Sequence, residues 1–257
     1  YLVLYIIIIL QITGNNNKSY GTPISQTDLS KTKTPLDCTQ ASSKLTISNT
    51  SFLKEVQPGY STYSVWFYID GSRWSTYRYD DWKCMMYRGS AATISGEENT
   101  YNIVTQYPGF WLSPALNNFV IVFQHNGSNA ERIQIDNVEM NKWINVITVI
   151  ENKSISVYIN GLLDRINNIE LTPVDVSNYN LFINPQTKDG TTGFEFGFPG
   201  YITDTIYYNY PLTIDNIKQS YEYYSKKIND YQIKADNKAN NYSLSSLITN
   251  SDVLSNN

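Results

Sequence analysis

The sequence predicts an all-β fold, an antiparallel two-sheet jelly-roll sandwich with one short C-terminal helix, and three observations carry the prediction. Residues 44–211 are a succession of short apolar or alternating runs punctuated by Gly, Asn, Asp and Pro, the pattern of antiparallel strands joined by tight turns. The composition suits strands: 41% of residues are hydrophobic, 14% aromatic and only 16% charged, and 22 Tyr supply uncharged hydrogen-bonding surface. The 257 residues fit one large sandwich with tails, because all-β units reach about 200 to 250 residues as a single domain.

Residues 1–13 open with the uncharged run YLVLYIIIILQI, which as a helix extends about 18 Å against about 30 Å of bilayer hydrocarbon. It is expected to be a membrane anchor completed by residues upstream of Tyr1; a buried segment and the apolar core of a secretory signal are the alternatives. Residues 14–43 are polar, rich in Asn, Ser, Thr and Lys, and lack either hydrophobic period, so they are expected to be a linker.

Within the sandwich, alternation in YSVWFYIDG sets Val65, Phe67 and Ile69 on one face and Trp66 and Tyr68 on the other. The same logic groups Phe119, Ile121 and Phe123, then Ile133 with Ile135, then Ile155, Val157 and Ile159, then Ile202 with Ile206. Glu151-Asn152-Lys153 and Asn160-Gly161 lie between alternating runs, and Asn and Gly tolerate the positive φ of hairpin turns. In residues 212–232 the period changes: Leu212, Ile214, Ile217 and Tyr221 recur at two- to four-residue steps, with Asp215 near the start, which predicts a helix. Residues 233–257 form a polar tail, disordered or ordered only by a partner.

The formal net charge of -4 without a basic cluster argues against nucleic-acid binding. Cys38 and Cys84 permit one disulfide or two thiols, and their spacing makes no zinc site. The single histidine, His125, ends an apolar run and is expected to be a solvated loop residue rather than part of a catalytic triad. Phosphate-binding glycine motifs are absent from the sequence. Sequons stand at Asn17, Asn49, Asn126, Asn152 and Asn241, a number that a chain so rich in Asn, Ser and Thr reaches by chance.

The segment NKWINVITVIENKSISVYINGLLDR, residues 141–165, resembles laminin-G-like and concanavalin A-like domains, in which a Trp opens a strand and the following hairpin ends in Tyr-x-Asn-Gly. The fold-defining residues here are Trp143, Tyr158, Asn160 and Gly161. The later GFPGYITDTIYYNYPLTIDNIKQSY is similar to the closing pattern of the same family. A narrower resemblance, in YPGFWLSPALNNFVIVF followed by the NKW segment, is to membrane-anchored minor capsid proteins of large nucleocytoplasmic DNA viruses. It implies a non-catalytic structural component of a virion, at or near an internal membrane, with other capsid proteins and the membrane as partners.

Glucanases of this fold need clustered carboxylates on one strand, whereas Glu195 and Asp204 each stand alone on their runs, so no enzymatic activity is expected. No cofactor is expected. The candidate contact residues are Trp74, Tyr77, Tyr79, Asp80, Asp81 and Trp82, an aromatic and acidic cluster expected on the surface, suited to a protein interface or, alternatively, to a glycan on a cell-surface or secreted lectin-like module. Asp80 and Asp81 also raise calcium, although such an ion takes about six to eight oxygens.

Overall fold

The computed structural model describes residues 34–232 apart from 53–54, 56, 78–79, 91–93, 96–104, 126–130, 171–174 and 190–192. The expected anchor (1–13), most of the linker and the tail (233–257) lie outside the described residues. In chain order the strands are β1 (Leu36–Asp37), β2 (Leu45–Ile47), β3 (Tyr60–Ile69), β4 (Lys83–Gly89), β5 (Ile94–Ser95), β6 (Thr105–Leu112), β7 (Phe119–His125), β8 (Glu131–Ile135), β9 (Trp143–Glu151), β10 (Ser154–Ile159), β11 (Leu162–Asn168), β12 (Asn180–Ile183), β13 (Gln186–Asp189), β14 (Gly193–Phe196) and β15 (Gly200–Tyr208). A one-turn helix, α1 (Gly71–Trp74), follows β3, and α2 covers residues 214–232.

Two six-stranded antiparallel sheets make the sandwich, ordered β1-β15-β3-β9-β10-β11 and β2-β12-β4-β6-β7-β8, and a small third sheet is ordered β14-β13-β5. The alternation in the sequence is realised where the two large sheets meet. Tyr63, Val65, Phe67 and Ile69 of β3 enter the main core with Phe119, Ile121 and Phe123 of β7, Ile133 and Ile135 of β8, and Ile155 and Val157 of β10. Phe67 and Phe119 stack across the gap with ring centroids 5.4 Å apart. Far from this gap, Val120, Val122, Trp111 and Phe182 form a second cluster with Cys84. Both cysteines are free thiols, each wholly buried in a different cluster, so the disulfide alternative is set aside.

One boundary and one strand facing differ from the sequence-based expectation. The sandwich begins at β1, inside the segment expected to be a linker: Leu36 pairs with Ile202, and Cys38 is wholly buried. A two-residue strand is too short to show a period, and it is fixed instead by Arg73 of α1, which contacts Asp37 at 3.3 Å and Asp70 at 2.8 Å. In β15, Ile202 and Ile206 do not share a face. The pairing with β3 slips between Thr203 and Ile206, where Asp204 has φ of 42°, so Tyr207 enters the main core while Ile206 and Tyr208 turn to the opposite side of the sheet. The strands at one lateral edge of the two sheets are tied together: Arg165 of β11 donates to the Gln134 carbonyl of β8, and the Glu170 N–H donates to Glu131 at 2.8 Å. Among the described residues, no helix is long and apolar enough to cross a membrane.

One end of the core holds a buried charge. Arg88 is 1% exposed; its Nε donates to the Tyr179 carbonyl at 3.2 Å, and its guanidinium lies over Phe52 and Tyr207 at 4.3 and 4.8 Å. Nearby, burial lifts the Glu55 carboxyl above the ordinary glutamate range, against the pull of the Gly59 N–H and of Arg88. The native state therefore holds this proton more tightly than the unfolded chain does. Glu55 opposes folding increasingly as pH rises from the ordinary glutamate value through the raised native one, and the penalty is constant above it. Glu55→Gln is expected to gain stability relative to the parent across that window, measured by urea unfolding from about pH 4 to about pH 8. Parallel pH profiles for the two proteins would remove the carboxyl from this account.

Candidate functional site

The outer face of the first sheet, turned away from the second, is apolar as well. Ile147 and Val149 of β9, Tyr158 of β10, and Ile206 and Tyr208 of β15 form a cluster closed by Leu212 and by Ile217 of α2. Thr213 caps the helix, its hydroxyl accepting the Asn216 N–H at 3.3 Å. From Ile217 the buried stripe continues through Ser220 to Ile228, at helical spacing. Ile214, expected in this stripe, is 56% exposed because it lies on the far side of the first turn.

Polar contacts fix where the helix sits. Lys227 Nζ donates to both carboxylate oxygens of Asp204, at 2.7 and 2.8 Å, and Asp204 is only 5% exposed. The Tyr221 ring stacks on Trp66 of β3, with centroids 5.6 Å apart and planes 11° apart. It also closes on the β10–β11 turn, where Asn160 and Gly161 have φ of 51° and 77°; a Cβ added at Gly161 would stand 3.0 Å from that ring. The turn is held in place from the other side, because the Asn160 carboxamide oxygen accepts the Asn145 N–H at 2.9 Å. Tyr158, Asn160 and Gly161 thus form the seat for α2, a structural role in keeping with the sequence motif.

Between α2 and the sheet lies a pocket of about 410 Å³. The sheet contributes Trp66 and Trp143, the segment entering β9 Asn141 and Lys142, and the helix Tyr221, Ser225, Ile228, Asn229 and Gln232. Trp143, the first residue of β9, is half-buried and tilted against Tyr68 and Tyr231, at 5.7 and 6.2 Å between centroids. Asn141 is fixed by three hydrogen bonds: its N–H donates to the Ile69 carbonyl, its side-chain oxygen accepts from Gly71, and its own carbonyl accepts from Gln232 at 3.4 Å. The one charged group in the lining, Lys142, is paired with Glu139 at 2.8 Å. Aromatic surface beside several amides describes a site able to hold an uncharged polar molecule.

The cluster expected at residues 74–82 is not a surface platform. Trp74 is 5% exposed and belongs to the main core, with the buried Lys83 ammonium 4.6 Å over its ring. Trp82 is half-buried against the second cluster, so the two indoles serve different cores. Tyr77 and Asp81 are half-buried, Asp80 is exposed, and Tyr79 lies outside the described residues. The Asp81 carbonyl accepts from Lys83 Nζ at 2.9 Å. For calcium, the described residues contain no group of three or more His, Cys, Asp or Glu able to hold an ion. Of the two carboxylates considered for hydrolysis, Asp204 is committed to Lys227 and the side chain of Glu195 lies outside the described residues, as does that of the single histidine, His125. Trp66 was visible as an outward aromatic on β3, but its joining with Trp143 and α2 depends on contacts between distant segments that the sequence pattern does not encode.

With this geometry in hand, comparison with known proteins gives the family. A laminin G-type model described as the concanavalin A-like lectin/glucanases superfamily matches residues 39–218. The chain belongs to that superfamily. No curated protein sequence matches it. Among solved structures, this lectin/glucanase-superfamily chain is similar to the receptor binding domain of botulinum neurotoxin D, at 15% identity and a TM-score of 0.51, covering 72% of this chain and 42% of that one. A second structure of the serotype D binding domain gives 14% identity and a TM-score of 0.50, covering 72% and 41%. The superfamily member described here thus spans about two fifths of the length of these neighbours, and the likeness is one of fold.

The burial difference between two tryptophans is directly measurable. Trp74→Ala is expected to cost about 3 to 5 kcal/mol of stability, as for other aromatic truncations in a core, and Trp143→Ala about 1 kcal/mol. Urea unfolding of both variants checks this, and equal losses would contradict the placement of Trp74 inside the core and Trp143 on the pocket rim.

Proposed function

We propose that this domain is a non-catalytic recognition module that seats a glycan in the pocket between α2 and the first sheet. The observation that carries the proposal is the lining itself: the half-buried Trp143 ring beside the amides of Asn141, Asn229 and Gln232, with no carboxylate among the lining residues. Sugar rings present apolar C–H faces that pack on aromatic rings and hydroxyls that pair with amides. The lectin/glucanase family is consistent with this, and the neighbours, by their titles, are receptor binding domains. The full-length chain is expected to bind a restricted set of glycans on an array, with Trp143→Ala abolishing the signal. A flat array profile overturns the proposal.

A second reading rests on a different observation. Leu162, Leu163 and Ile166 of the edge strand β11 are 71%, 50% and 59% exposed, apolar surface suited to protein contact. With the resemblance of residues 107–123 and of the NKW segment to virion proteins, this supports a structural component of a large virus particle, held at or near an internal membrane by residues 1–13 and working through contacts with other capsid proteins.

A further inference from the structure

Resting on the glycan reading above, the inference concerns which sugars the pocket selects. Its walls offer more hydrogen-bond donors than acceptors. Trp66 is 3% exposed yet lines the pocket, and its indole N–H has no hydrogen-bond partner among the described residues. The indole N–H of Trp143 and the carboxamide of Asn229 are likewise without partners there. The side-chain oxygen of Asn141 is already taken by Gly71, which leaves its amide N–H groups as the remaining capacity of that side chain. Ser225 donates to the Glu222 carbonyl at 3.1 Å and so faces a ligand as an acceptor. A glycan hydroxyl can accept from these donors, but its own O–H then needs an acceptor, and no Asp or Glu is present in the lining to supply a strong one.

The wall also carries an apolar element with no use for a hydroxyl. Ile228 is 2% exposed and lines the pocket beside the Trp66–Tyr221 stack. A ligand matched to all three features brings an acceptor such as a carbonyl to the indole and amide donors, an N–H or hydroxyl to Ser225, and a small apolar group to Ile228. A volume of about 410 Å³ is at the low end for ligand sites, room for one or two sugar rings. We propose that the pocket binds N-acetylated hexosamines, with the acetamido group as the recognised element: its carbonyl accepts from the pocket donors and its methyl packs on Ile228. A plain hexose has a hydroxyl at that position, which can accept from the same donors but sets a polar group, not a methyl, against the isoleucine.

The test is isothermal titration of the full-length protein with N-acetylglucosamine, N-acetylgalactosamine, glucose and galactose, repeated with Trp143→Ala and Asn229→Ala. The expected result is binding of one or both acetamido sugars at least about tenfold more tightly than the matching hexose, and a loss of about tenfold or more in each variant. Equal affinity for sugars with and without the acetamido group overturns this inference and leaves the glycan reading standing. Acetamido selectivity that survives both substitutions overturns the assignment to this pocket. Binding of neither class overturns the inference and the glycan reading together.

Discussion

A single reversal in strand β15 sets the terms for the rest of the molecule. Strict alternation would send Ile202, Ile206 and Tyr208 to the inner side and Tyr207 to the outer one. At Asp204 the backbone adopts φ of 42° and the register with β3 slips, so Tyr207 completes the main core while Ile206 and Tyr208 surface on the other side. There they join Ile147, Val149 and Tyr158, so the first sheet is apolar on both faces and water must be excluded from the outer one as well. Helix α2 does that, and the pocket exists because the helix covers the outer face without filling the space over Trp66 and Trp143.

The same residue that makes the reversal also aligns the helix. Asp204 and Lys227 lie where apolar contact alone would allow the helix to slide or rotate, and a carboxylate this buried is tolerable only with its partner in place. Such a pair contributes more to a defined orientation than to net stability, and that orientation brings Ser225, Asn229 and Gln232 opposite Asn141 and Trp143. The β10–β11 turn adds a steric limit, since a Cβ at position 161 would stand 3.0 Å from the Tyr221 ring, on a backbone whose φ of 77° already favours glycine. Strand pairing, turn chemistry and one ion pair thus converge on the geometry of a shallow, aromatic, amide-lined seat.

The parts of this arrangement that repeat locally were legible in the sequence. The inward sets of β3, β7, β8 and β10, the Asn160-Gly161 hairpin and the helix over 212–232 all follow from period and turn chemistry, and the motif around Trp143 and Tyr158 pointed to the family that the matched model shows. What was not legible depends on contacts between distant segments. β1 is two residues long and is held by Arg73, a partner 36 positions away in the chain. The aromatic run at 74–82 looked like surface because it lies between strands, but α1 turns Trp74 into the core and Lys83 covers its ring. The pocket combines residues from β3, from the segment entering β9 and from α2, and no single stretch of sequence carries it.

Helix α2 packs on the outer face of the first sheet and thereby builds the pocket. Amide hydrogen exchange of the full-length protein tests this packing most directly. Docking predicts that residues 217–228 are protected to a degree comparable with β9, because both then open only through larger unfolding events. Exchange of that segment at the rate of an isolated helix, with β9 still protected, would contradict the account.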